Sequence, residues 1–219
     1  QRQMCIRDRP NSVQHSVPAW LIFGMFFIMI PLSNVMAMER QTNTLTRLNM
    51  ARAPAWKLLA AKLIPYFLIN QLQFAGMVAL GAWVLPLLGM PAFALAGGWA
   101  GYAAVSCAVS LAALGYGLLV SVLAKTTEHA VVLGGGGIII MAALGGVMVP
   151  VHIMPALMQQ LSQLSPMGWG LSAFQKLLLN HYTLAQIIPQ LLRLAGFGLA
   201  ALAAAAALYR RQLKTQARF

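Results

Sequence analysis

Three carboxylates, Asp8, Glu39 and Glu128, and four histidines at positions 15, 129, 152 and 181 are what this chain offers for acid–base or metal chemistry. Metal-dependent lipid or prenyl transfer needs clustered carboxylates to hold a hard cation, and here the acids lie far apart in sequence, none within an apolar run. A serine hydrolase would need a positioned Ser with a His partner, but no Gly-x-Ser-x-Gly occurs and the histidines read as loop residues. His152 and His181 fall on the same side of the topology derived below and could share a metal, although two lone loop histidines are more often solvated. Gly134 to Gly137 lack a following Lys-Ser/Thr, so this run is no phosphate loop. Small residues there would let a neighbouring helix pack closely. If nucleotide drives this protein, another chain binds it.

The elements around these residues are membrane spans. Hydrophobic residues make up 60% of the chain and charged ones only 8%, where a soluble domain carries about 25% charged. The net charge of +12 does not point to nucleic acid, because the cations are not laid out as a basic face interleaved with stacking aromatics. Cys5 and Cys107 imply no disulfide framework. Five runs are long enough to cross a hydrocarbon core of ~30 Å: about 17–38, 58–88, 92–124, 130–149 and 184–209. The fold class is therefore an all-α integral membrane protein, a polytopic helical bundle. Pro31 is expected to kink the first run, and Pro65 and Pro86 mark places where the overlong second run can bend.

Charge sets the orientation. Arg40, Arg47, Arg52, Lys57 and Lys62 flank the first connection, Lys125 the third, and Arg210, Arg211, Lys214 and Arg218 follow the last span. By the positive-inside rule these sides are cytoplasmic, which places the C-terminus inside and the start of the chain outside. No apolar segment precedes the first run, so the chain reads as a fragment lacking at least one span, and residues 1–9 read as non-native.

The stretch MERQTNTLTRLNMARAPAWK, residues 38–57, holds one of the three acids and four of the fifteen Lys and Arg residues. Leu45 and Leu48 share a helical face while Thr44 and Arg47 fall elsewhere, as in a short interfacial amphipathic helix. Pro54 then suits the start of the next span. Such an elbow is either a topology anchor or a handle for a partner. In the spans, Asn70, Gln71 and Gln73 are polar residues more apt to bond across helices than to bind cargo. Phe23, Phe26 and Phe27 could line a greasy path or simply pack. Arg193 is the one cation at membrane depth, a functional candidate unless it snorkels to the outer surface.

Two motifs carry a resemblance. Glu39-Arg40-x-x-x-Thr44-Leu45-x-x-Leu48 with Pro54 beyond resembles the cytoplasmic Glu-Arg-x-x-Gly-Thr-Leu segment of type-2 ABC exporter permeases. VPVHIMPALMQQLSQLSPMGW, with Pro150, Met154, Pro155, Leu157 and Pro166, resembles their final outer loop, which leads into a half-buried helix. Together they cover most of residues 17–210. Asn43 stands where the family usually has Gly, which puts the detailed shape of the turn in question.

The resemblance implies a permease subunit with six spans in the full chain, five of them here. It would pair with a second permease subunit, as a homo- or heterodimer, in the bacterial inner membrane. Each subunit would dock on a separate ABC ATPase subunit that binds ATP and Mg. This chain itself would carry no cofactor and would be no enzyme. Residues 1–16 would be an outer tail, 17–210 the permease domain with outer loop and helix 150–183, and 211–219 a basic cytoplasmic tail. Glu39, Arg40, Thr44, Arg47 and Leu48 would form the coupling elbow, and Phe23, Phe27, Asn70, Gln71 and Arg193 would border the route of a hydrophobic or amphipathic substrate. A passive channel or a scaffold without an ATPase partner is the competing reading.

Overall fold

A backbone placed in hydrocarbon has no water to satisfy its amides, so helices are the expected answer to these apolar runs. A computed structural model describes residues 12–42, 55–89, 99–179 and 184–216, and among them it contains helices and no strand. Helices α1 (Ser12–Phe26) and α2 (Met29–Gln41) form the first span. α3 (Ala55–Ala79) continues through a π-helical turn, Leu80–Val84, into one last turn at Leu85–Leu87. α4 is Trp99–Leu123, α5 Thr127–Leu144, α6 Ala156–Ser162, α7 Pro166–Leu179 and α8 Leu184–Gln216. Five of the helical segments are long and apolar enough to cross a membrane: His15–Glu39, Lys57–Leu87, Trp99–Leu123, Thr127–Leu144 and Gln186–Gln212. They overlap the five runs expected from sequence, except that the fourth helix stops at Leu144 instead of 149 and residues 92–98 of the third run lie outside the described residues.

The prolines act unequally. Pro31 has no N–H to give, and the helix tightens just ahead of it: Phe27 N donates to Gly24 O at 3.1 Å and Ile30 N to Phe27 O at 3.0 Å. The break therefore falls at Phe27–Ile28, upstream of the proline itself. Pro65 does not interrupt α3, whereas the wide turn Leu80–Val84 immediately precedes Pro86.

α4 is the axis of the bundle. Its buried residues Val105, Val109, Ala112 and Leu118 meet Ile22, Met25, Met29 and Leu32 of the first span. α4 and α8 run parallel and touch backbone to backbone: a Cβ on Gly115 would sit 2.5 Å from the Gly198 carbonyl oxygen, and one on Gly198 would sit 2.8 Å from that of Leu111. Farther along, Gln212 Nε2 donates to Val122 O at 3.0 Å, satisfying a carbonyl at the open C-terminal end of α4. The glycine run of α5 is used at two of its four positions. Cβ atoms on Gly134 and Gly137 would collide with Met29 and Tyr116, and the Tyr116 hydroxyl donates to Gly134 O at 2.9 Å, while Gly135 and Gly136 face open space.

α7 runs antiparallel to α4, with Gly170 against Val109 and Leu177 against Gly101. At about 21 Å it is too short to span, yet Met167, Leu171, Phe174 and Leu177 are fully buried. Its start, marked by the approach of Gly168 to Gly145, lies deeper in the bundle than its end. Gly146, with φ of 80°, turns the chain out of α5, a conformation that glycine adopts without strain. Side chains close the carbonyls at both ends of the intervening segment: Ser165 Oγ donates to Met141 O of α5 at 2.7 Å, and Trp169 Nε1 of α7 donates to Gln163 O at 2.6 Å. Met154, Ser162 and Ser165 are the buried points of this segment, while Met148, Ile153, Leu157 and Leu164 are exposed.

Candidate functional site

The described basic residues Lys57, Lys62, Lys125, Arg210 and Arg211 gather at the end of the bundle where α2 and α8 finish and α3 begins. Lys176 and Arg193 lie toward the opposite end. At the basic end Glu39, on the last turn of α2, forms an ion pair with Lys62 of α3. The same ammonium lies 3.1 Å from Met36 Sδ and 5.8 Å from the centroid of the Tyr209 ring of α8. Both charged side chains are largely shielded, at 10% exposure for Lys62 and 21% for Glu39. One cation thus ties three spans together where the charged elbow departs. Arg40 occupies the next position of α2, and Thr42 closes the helix with its hydroxyl on Met38 O at 2.9 Å. Thr44, Arg47 and Leu48, and with them the expected amphipathic helix, lie outside the described residues.

A second polar group sits in the middle of α3. Gln71 spans to α4, accepting from Ser106 Oγ at 2.6 Å and donating to Ser110 Oγ at 2.8 Å. The serines, four residues apart, share one helix face. Gln73 presses on α1, where a Cβ on Gly24 would lie 2.6 Å from its amide nitrogen. Asn70 differs: it is 0% exposed, and neither its oxygen nor its nitrogen has a partner. An amide in that condition is costly, so this conformation leaves it unsatisfied.

Phe23 and Phe27 pack edge to face at 4.9 Å, and Trp20 extends the row at 5.5 Å from Phe23. Both phenylalanines are half-buried, whereas Phe26 is fully buried and turned toward Tyr116. Arg193, expected either to snorkel or to act, lines a cavity of about 300 Å³ formed by α7, α8 and the segment after α5. The structure therefore gathers the sequence candidates at three levels rather than in one pocket.

Two histidines depart from their expected loops, and His152 keeps to one. His15 is within α1 and bonds Gln175 of α7 at 2.8 Å, His129 is in the first turn of α5, and His152 is in the short turn Val151–Ile153. His181 lies outside the described residues. Among the described residues no group of three or more His, Cys, Asp or Glu could hold a metal. Sequence reasoning treated Lys62 only as a flanking charge and did not single out Ser106, Ser110, Gln175 or Gln190. The i, i+4 serine pair on an apolar helix was the available signal for a polar partner on a neighbouring span.

Comparison with known proteins is consistent with this architecture. The chain matches the ABC-2 type transporter family over residues 4–179. It is 28% identical over 141 residues to the probable multidrug ABC transporter permease YbhR of Escherichia coli K12, covering 64% of this chain and 36% of that protein. It is 24% identical over 172 residues to the linearmycin resistance permease protein LnrN of Bacillus subtilis 168, covering 76% of this chain and 42% of that one. The chain thus spans less than half the length of either relative. No solved structure matches it. With the family match extending from the first span through α7, and five apolar helices packed as described, the chain belongs to the ABC-2 type transporter family as a multi-pass membrane protein.

Proposed function

We propose that the chain is the permease part of an ATP-driven exporter, acting with a separate ATPase subunit and a second permease subunit in the bacterial inner membrane. The basic end faces the cytoplasm, in keeping with the positive-inside rule, and the start of the chain faces outward. Residues 17–210 act as the membrane domain and 211–219 as a cytoplasmic tail. The observation that carries this reading is the Glu39–Lys62 pair. It anchors the root of the 39–57 elbow to α3 and, through Tyr209, to α8, so force applied at the elbow reaches three spans. ATP binding draws the two ATPase subunits together and pushes on Glu39, Arg40, Thr44, Arg47 and Leu48, tilting the spans toward an outward-open state. Cargo and nucleotide must favour different populations for this to do work.

The cargo is a hydrophobic or amphipathic molecule, a choice supported by the multidrug and linearmycin-resistance names of the relatives. Phe23 and Phe27 give the route an apolar wall, Asn70 and Gln71 a polar one at mid-depth, and Arg193 stands near its outer exit. The unsatisfied Asn70 amide finds its partner in cargo or in the other conformation.

The test is co-purification of the full-length protein with either the native elbow or the pair Glu39→Ala and Arg47→Ala. An ATPase subunit is expected to elute with the native protein and to be lost or uncoupled in the variant. Recovery of a folded native protein with no ATPase in gentle detergent would overturn the reading in favour of a channel or scaffold.

A further inference from the structure

The cavity beside Arg193 has a chemistry of its own. It is walled by Trp169, Ser172 and Gln175 of α7, Gln190 and Arg193 of α8, and Gln163 of the segment between α6 and α7. A second cation stands behind it. With its amide oriented to satisfy both neighbours, Gln190 accepts from Lys176 Nζ at 2.6 Å and donates to Ile187 O at 3.2 Å. Gln175 in turn holds His15, whose Nε2 is buried with no partner. No carboxylate among the described residues answers this positive charge, because Glu39 is paired with Lys62 and Glu128 begins α5, both at the basic end. Arg193 lies about 14 Å along α8 from its start, within the apolar stretch Gln186–Gln212, and its side chain is exposed at the mouth of the cavity.

We propose that this cavity binds a phosphate group, with the Arg193 guanidinium as its fork and the glutamine and serine side chains as neutral donors. Guanidinium geometry suits two parallel bonds to phosphate oxygens. The volume of about 300 Å³ is at the lower limit for sites that enclose organic ligands. A phosphate headgroup fits within it. The source is either a membrane phospholipid, its acyl chains lying along the bundle, or phosphate free in solution. The proposal does not depend on export, since occupancy is read without transport.

Trp169 supplies the readout. The purified full chain in neutral detergent is titrated with a bromine-labelled phosphatidylglycerol, a bromine-labelled diacylglycerol and inorganic phosphate, following tryptophan fluorescence. Because Trp20, Trp83 and Trp99 are also exposed, the signal read is the part lost in Trp169→Phe, and this part is expected to saturate with the phospholipid and to be absent with diacylglycerol. Arg193→Gln should weaken it by about tenfold or more, with Arg193→Lys between and Lys125→Gln, at the opposite end, unchanged. Displacement of the lipid by millimolar phosphate would identify the phosphate alone as the ligand, and failure to displace would identify the lipid headgroup. Equal quenching by diacylglycerol, or unchanged affinity in an Arg193→Gln protein that elutes and melts like the native one, would overturn the proposal.

Discussion

Lys62 of α3 reaches back 23 positions in sequence to the carboxylate of Glu39 at the end of α2, with the Tyr209 ring of α8 5.8 Å from its ammonium. Ion pairs exposed to water contribute little, but these side chains are mostly shielded, and removing one leaves the other poorly solvated.

Either Lys62→Met or Glu39→Gln alone should therefore lower the stability of the full-length protein by about 1–3 kcal/mol. The double variant should lose less than the sum of the two. Thermal unfolding in detergent measures the cycle, and strict additivity would mean that the pair contributes nothing.

The glycines divide into contact and open positions. Gly198→Ala places a methyl 2.8 Å from the Leu111 backbone and should cost about 1–3 kcal/mol through overpacking. Gly135→Ala and Gly136→Ala meet nothing within 4 Å and should be neutral or stabilise by up to about 1 kcal/mol. Comparison of their melting temperatures checks the parallel α4–α8 contact directly.

Asn70 and Gln71 are neighbours in sequence with opposite expectations. Gln71→Leu breaks two bonds to α4 and should destabilise by about 1 kcal/mol, the scale found for hydrogen bonds between membrane helices. Asn70→Leu removes an amide with no partner and should leave stability unchanged or raise it. If Asn70 serves cargo or the alternate state, export of an amphipathic dye from cells should fall in Asn70→Leu despite the intact fold.

Tyr116→Phe deletes the hydroxyl that donates to Gly134 O at 2.9 Å. A loss of about 0.5–1.5 kcal/mol is expected, measured by the same unfolding assay, with Gly137 still able to receive the ring.

The five spans were legible because length and composition alone decide what can cross hydrocarbon, and the break near Pro31 followed from its missing N–H. Pro65 shows the limit of that rule, since α3 passes through it unbroken. What periodicity cannot supply is the partner of a side chain. Glu39 with Lys62, and Gln71 with Ser106 and Ser110, are relations between helices, fixed only when the crossings are known. Arg193 was ambiguous for the same reason: lipid exposure and a cavity wall look alike in one helix, and the walls opposite it come from residues 145–175. The burial of α7 was only half visible, because a fourteen-residue helix that carries Ser172, Gln175 and Lys176 is too short and too polar to announce a span.

Glycine at the α4–α8 crossing, with Gln212 fastened to Val122 near the far end of the contact, makes a single stiff spar of two parallel helices. A spar does not bend; it pivots. The irregular turns at Phe27–Ile28 and at Leu80–Val84, outside this contact, are where the helical hydrogen bonding is interrupted and where articulation would be accommodated. A small rotation delivered at Tyr209 would arrive at Arg193 along the same spar, swinging the cavity wall with it like a tiller.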